Sequence, residues 1–130
     1  MHFKTCFLID DDEDDQEIFT LALREADASI RCVTASDGVE ALTRLSGDKT
    51  FVPDYIFLDL NMPLMNGKEC LREIRKQSHL RDVPVIIFST SSEPHEIEET
   101  RRLGANEFIT KPPLISSLSR QLAEFFKTFR

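Results

Sequence analysis

Nine residues, Tyr55-Ile56-Phe57-Leu58-Asp59-Leu60-Asn61-Met62-Pro63, constrain the fold more than any other stretch of the chain. Tyr55 to Leu58 is an unbroken apolar run with aromatic and β-branched members, bounded by Pro53 before and the turn-forming Asn66-Gly67 after. Such a run reads as a strand buried on both faces, which requires a sheet with cover on each side. Asp59 ends it. A carboxylate at the carboxyl end of a buried strand is costly unless its charge is used, and in open α/β sheets ligands bind along that edge. Taken alone, Asp59 is equally readable as a turn or capping aspartate. Its meaning depends on what other segments bring to the same edge.

Those segments alternate in type. Lys4 to Ile9 is a short apolar strand that runs into six acids, Asp10 to Asp15, and then into Ile18, Phe19, Leu21, Ala22, Leu23 and Ala26 at helical recurrence. Asp14 and Asp15 suit the positive end of that helix dipole. An EF-hand loop would use Asp10, Asp12 and Asp14, but Asp15 stands where Gly is required and Leu21 where a bidentate Glu belongs. Ile30 to Ala35 is a second strand, and Gly38 to Leu45 a short helix closed by Ser46-Gly47. After the Asp59 strand, Gly67 to Lys76 puts Cys70, Leu71 and Ile74 on one helix face. Val83 to Phe88 is another doubly buried strand, ending in the hydroxyl run Ser89-Thr90-Ser91-Ser92. A polar helix from Pro94 to Leu103 stops at Gly104. Glu107 to Thr110 is a fifth strand, stopped by Lys111-Pro112-Pro113, and the last helix repeats Ile115, Leu118, Leu122, Phe125 and Phe129.

Five strands alternating with five helices through short connections imply an α/β fold, a parallel sheet with helices on both faces. A chain of 130 residues has the size of one domain, so residues 1–130 are expected to form it without an output domain. All strand carboxyl ends then share one edge, which collects Asp10 and Asp11, Asp59, Ser89 and Thr90, and Lys111.

Three carboxylates roughly 5 Å apart repel by about 3 kcal/mol per pair at an effective dielectric near 20. They cannot all stay ionised unaided. Hard oxygen ligands of this kind suit a divalent cation, and few carboxylates with remaining waters suit Mg²⁺ better than Ca²⁺. With a lysine, a hydroxyl and backbone amides, they form a cradle for a tetrahedral dianion in which Asp59 is the nucleophile.

Phe7-Leu8-Ile9-Asp10-Asp11, Asp59-Leu60-Asn61-Met62-Pro63 with Asn66-Gly67, Ser89-Thr90, and Gly104-Ala105 leading to Phe108 and Lys111-Pro112 occur in this order over essentially the whole chain. In this the sequence resembles the receiver domains of two-component response regulators, in particular single-domain chemotaxis-type regulators. The resemblance implies a flavodoxin-like sheet of order 2-1-3-4-5 and a phosphoryl group accepted on Asp59 from a sensor histidine kinase or a histidine phosphotransfer protein. It implies Mg²⁺ held by Asp11 directly, by Asp10 through water, by Asp59 and by the backbone carbonyl of Asn61. Asp12 leaves a one-residue ambiguity, and the register that turns Phe19 and Leu23 inward selects Asp10 and Asp11. Ser89 and Lys111 would bind the phosphoryl oxygens, with Lys111-Pro112 as a cis peptide. Phe108 takes the aromatic switch position, moving with the Ser89 loop to alter the face of the fourth helix, fifth strand and fifth helix. The product is an aspartyl phosphate on a phosphoacceptor that is not a turnover enzyme.

Two other functions fit part of the pattern. A haloacid-dehalogenase-like phosphatase shares the strand-end Asp, Mg²⁺, hydroxyl and Lys but needs an acid two residues after the nucleophile, where this chain has Asn61. A phosphorylation-independent interaction module would keep the fold alone. A net charge of −7 and a pI near 4.9 argue against binding nucleic acid or anionic membrane. Cys6, Cys32 and Cys70 lie apart in apolar stretches, as small hydrophobes of a reducing compartment. No apolar run approaches a membrane span, so a cytoplasmic protein is expected. His2, His79 and His95 are expected at the surface, and Glu93, Glu96, Glu98 and Glu99 on a solvated helix face. Phe125, Phe126 and Phe129 exceed one packing stripe, so one of them is expected to be exposed.

Overall fold

The computed structural model describes residues 3–91 and 93–129. Its elements run β1 (Lys4–Ile9), α1 (Glu13–Ala26), β2 (Ile30–Ala35), α2 (Gly38–Gly47), β3 (Tyr55–Leu58), α3 (Gly67–Arg75), a single 3-10 turn (Ser78–Leu80), β4 (Val85–Ser89), α4 (Pro94–Arg102), β5 (Glu107–Thr110) and α5 (Ile115–Thr128). The five strands are parallel in the order β2-β1-β3-β4-β5, the expected flavodoxin-like arrangement. Strand order reverses between β1 and β3. That crevice is where a sheet of this kind opens a site.

Alternation along the strands divides the core in two. Phe7, Ile9, Ile56, Leu58, Val85 and Ile87 face one layer, with Ala41 and Leu45 of α2 and Cys70, Leu71 and Ile74 of α3 packed over them. Cys6, Leu8, Tyr55, Phe57, Ile86 and Phe88 face the other, under Phe19, Ala22 and Leu23 of α1 and Leu118 and Leu122 of α5. Each large side chain removed from water in this way contributes about 1.5–3 kcal/mol. By contrast α4 buries only Thr100, whose hydroxyl bonds back to the Glu96 and Ile97 carbonyls. Lys68 of α3 secures that helix by pairing with Glu96 at 3.0 Å and Glu99 at 2.8 Å.

Several expectations change in detail. The fourth strand starts at Val85 rather than Val83, because Pro84 has no N–H to give and the Val83 amide turns back to Leu80 O. The acidic face of α4 is not simply solvated, since Glu96 and Glu99 serve Lys68 while Glu98 pairs with Arg101 and Arg102. His79 is half-buried with its Nε2 3.0 Å from Leu45 O, whereas His95 is exposed between Glu93 and Glu96; His2 and Ser92 lie outside the described residues. None of Phe125, Phe126 and Phe129 is exposed. Tyr55 rises between Phe125 and Phe126, and Phe129 stacks on Phe125 at 5.2 Å, so one aromatic cluster uses all three. Cys6 and Cys70 are buried, Cys32 half-buried, and all three are free thiols. Among the described residues no helix is long and apolar enough to cross a membrane.

Candidate functional site

Parallel pairing sets Ile9 opposite Leu58, so the next residue of each chain segment, Asp10 and Asp59, leaves the sheet at the same level. Both backbones are held there by extended ladder bonds, Asp59 N to Ile9 O and Asp10 N to Ala35 O, each 3.0 Å. One carboxylate oxygen from each of Asp10, Asp11 and Asp59 lies within 4.8 Å of the other two. Asp10 is fully buried, Asp59 nearly so, and Asp11 open to solvent. Asp12 is occupied elsewhere: as the N-cap of α1 it accepts from Asp14 N at 2.8 Å and Asp15 N at 3.2 Å.

Lys111 extends from the end of β5 over the Phe88 ring, its Nζ 5.4 Å from the ring centroid. That ammonium lies 2.9 Å from Asp10 Oδ2, 2.9 Å from Asp15 Oδ2 and 3.6 Å from Asp59 Oδ2. The peptide linking Lys111 to Pro112 is trans, contrary to expectation, as are all peptides among the described residues. Trans is the lower-energy form even before proline, by about 0.5–1 kcal/mol. The lysine reaches the acids without the other isomer.

The remaining predicted residues stand around this group. Asn61 is exposed, and its amide points to Asp59 Oδ1 at 3.4 Å. Ser89 is fully buried at the end of β4, with its Oγ accepting from Ser91 N at 3.2 Å and its carbonyl from Lys111 N at 2.8 Å. Phe108 is half-buried on β5 and lines a groove of about 250 Å³ with Ile97, Thr100, Arg101, Ala105 and Asn106. Gly67 permits the close turn after the site. Its amide bonds to Leu60 O, and a Cβ there would meet the Asp59 carbonyl and come within 2.6 Å of Leu60 Cα.

Burial decides the charge state of the two inner acids. Loss of hydration pushes the Asp59 carboxyl up to about 6, a rise that Lys111 restrains and Asp10 reinforces. Asp10 is raised for the same reason, against the hydrogen bonds it accepts from Lys111 and from the Asp12 amide. Burial alone would lower the Lys111 ammonium, but its bonds to Asp10 and Asp15 and the nearby Asp59 outweigh that and raise it. The result is an oxygen-rich pocket with more negative charge than one ammonium balances. Three carboxylate oxygens at this spacing are the donor set of a hard divalent cation, so these residues fit such an ion.

Sequence reasoning missed Asp15, assigned only to the helix dipole; its carboxylate turns instead onto Lys111. It also missed Gln16, whose Nε2 donates to Asp10 O at 2.7 Å. The signal for both was their place one helical turn beyond an acidic strand end.

Comparison with known proteins matches residues 6–123 to the family described as the response regulator receiver domain. The chain is 27% identical over 128 residues to Response regulator Rcp1 of Synechocystis sp., covering 95% of this chain and 82% of that protein. It is similar in structure to the phosphorylated cyanobacterial phytochrome response regulator RcpA, with a TM-score of 0.85, 32% identity, and 99% and 97% of the two chains covered. The Mn²⁺-bound form of response regulator Rcp1 gives a TM-score of 0.82 at 25% identity, with 97% and 93% covered.

Proposed function

The chain belongs to the response regulator receiver family, and from that membership we propose that it is a stand-alone regulator whose Asp59 accepts a phosphoryl group from a phosphohistidine donor. The observation that carries this reading is the convergence of Asp10, Asp11 and Asp59 within 4.8 Å beside an ammonium 3.6 Å from Asp59. The donor is a sensor histidine kinase or a histidine phosphotransfer protein. Phosphorylation and divalent-cation binding, though not the donor, are supported by similar proteins: one solved structure is described as phosphorylated and another as the Mn²⁺-bound form.

In the transfer an Asp59 carboxylate oxygen attacks phosphorus in line, the P–O bond forms as the P–N bond breaks, and the departing imidazole keeps the electron pair. Asp59 is competent for this because a carboxyl near 6 is still mostly ionised near pH 7. Mg²⁺, held by Asp10, Asp11, Asp59 and the Asn61 carbonyl, would supply positive charge for the phosphoryl oxygens. Lys111 then turns from carboxylates to the new dianion, and the Ser89 hydroxyl, which among the described residues accepts from the Ser91 amide, donates to it. Movement of the Ser89 loop draws Phe108 inward. Having no phenol oxygen, Phe108 gains apolar burial alone, and the α4–β5–α5 face changes for a partner protein. Water attack on the aspartyl phosphate resets the switch, so the chain is a phosphoacceptor and not a turnover enzyme. Asn61 cannot supply the proton that a haloacid-dehalogenase-like phosphatase takes from its second acid. A cytoplasmic location follows from the donor class.

Acetyl phosphate with Mg²⁺ should add one phosphoryl group to the intact protein, detected by mass, and Asp59→Asn should abolish it. Persistent labelling of that variant would overturn Asp59 as the acceptor. Absence of any labelling in the unaltered protein, with absence of Mg²⁺ binding, would favour an interaction module that has only the fold.

A further inference from the structure

Lys111 has a partner that phosphoryl transfer does not explain. Asp15 belongs to the first turn of α1, outside the group of acids whose oxygens meet at the metal position, yet it holds the ammonium at 2.9 Å, as tightly as Asp10 does and closer than Asp59 at 3.6 Å. Its side chain is about one-third exposed, while that of Lys111 is nearly buried. We propose that Asp15 is a positioning residue: it draws the Lys111 ammonium out of the metal position and competes with the phosphoryl group for it. The proposal rests on the receiver reading and adds a residue to it.

The direction of the effect follows from charge alone. In the unphosphorylated state the ammonium and a divalent cation want the same oxygens, those of Asp10 and Asp59. Asp15 offers the ammonium a resting place beyond them, and its own negative charge further favours a cation nearby. Without it, Lys111 closes on Asp10 and Asp59, and the cation binds less well. In the phosphorylated state the balance reverses. A dianion on Asp59 must win the ammonium from Asp15, whose charge also repels it. Removing that charge therefore strengthens capture of the phosphoryl group. Both contributions carry the same sign in each state, so the two affinities must move oppositely.

Asp15→Asn keeps the shape and removes the charge. By calorimetric titration it should weaken Mg²⁺ binding about threefold or more, the size of one partly screened charge contact. At saturating Mg²⁺ it should tighten beryllofluoride binding and prolong the aspartyl phosphate by a similar factor. Asp14→Asn makes the same change in net charge on the adjacent exposed residue and should leave both constants within about twofold, being screened by solvent. In a Lys111→Ala background the effect of Asp15→Asn on beryllofluoride should fall by more than half. A general folding defect would weaken both ligands together. Unchanged constants, parallel changes, equal effects of Asp14→Asn, or an undiminished effect without Lys111 would each overturn the role of Asp15. If the unaltered protein binds neither Mg²⁺ nor beryllofluoride, the receiver reading falls first and this proposal with it.

Discussion

Asp59 is ionised against resistance. Its neighbours explain how much: burial opposes the charge, Asp10 adds to the opposition, and Lys111 stands 3.6 Å away because its nearer bonds go to Asp10 and Asp15. A carboxyl held up at about 6 in the folded chain, against 3.8 when unfolded, binds its proton more tightly when folded. The ionised form therefore costs stability in full above about pH 6, and the cost fades as pH falls toward 3.8 and is gone below it, where both states are protonated. About two pH units correspond to roughly 3 kcal/mol. With chelator present, Asp59→Asn should raise the unfolding free energy measured in urea near pH 7 by an amount of that order and leave it almost unchanged near pH 3. An equal unfolding free energy for the two proteins near pH 7 would mean that Lys111 already neutralises the site. The acids themselves were legible in sequence because each stands at a strand end. Asp15 was not, because a first-turn acid on a helix already has a sufficient local explanation, and only the direction of its side chain reveals the second.

The elements divide by how local their causes are. β1, β3 and β4 declare themselves as apolar runs, and capping by Asp12, Asp37 and Asn66 fixes where α1, α2 and α3 begin. The single 3-10 turn at Ser78–Leu80 had no such signal, since its support comes from elsewhere in the fold. Arg75, the last residue of α3, donates to Leu80 O at 3.1 Å, Val83 O at 2.9 Å, Gly104 O at 2.9 Å and Asn106 Oδ1 at 3.0 Å. One guanidinium thus ties the turn before β4 to the turn before β5. Gly104 makes room for it: its φ is +112°, and a Cβ there would fall 2.8 Å from Arg75 Cγ. From the sequence Arg75 is one more charged residue at a helix end. Arg75→Ala should cost about 2–4 kcal/mol, because several half-buried carbonyls lose a charged donor together. Urea unfolding measures it, and a loss below about 0.5 kcal/mol, the level of an ordinary surface change, would show that water replaces the guanidinium.

Across the whole molecule, two well-packed apolar layers hold a sheet whose one edge concentrates repulsion. The layers explain why a parallel sheet covered on both faces was legible in the alternation of apolar strands and amphipathic helices, whereas the order 2-1-3-4-5 was implied by the resemblance to receiver domains and not by the strands themselves. They also explain what was not. The polarity of α4 suggested a free surface, whereas Glu96 and Glu99 pair with Lys68 across a helix pair, a contact with no periodic signature. A fold packed in two apolar layers below the site, with α4 burying only Thr100, gathers its unrelieved charge where a cation can discharge it. Binding that selects the folded state stabilises it by RT ln(1 + [L]/Kd), roughly 2.7 kcal/mol at a hundredfold excess over Kd. For a domain of this size that is on the order of 10 °C in the thermal midpoint. Saturating Mg²⁺ should therefore raise the midpoint of the unaltered protein by several degrees, and chelator should reverse the rise. Asp11→Asn, which removes the exposed member of the acid group without disturbing either apolar layer, should lose most of that increase. An increase of the same size in the variant would mean that the stabilising ion binds somewhere other than the edge between β1 and β3.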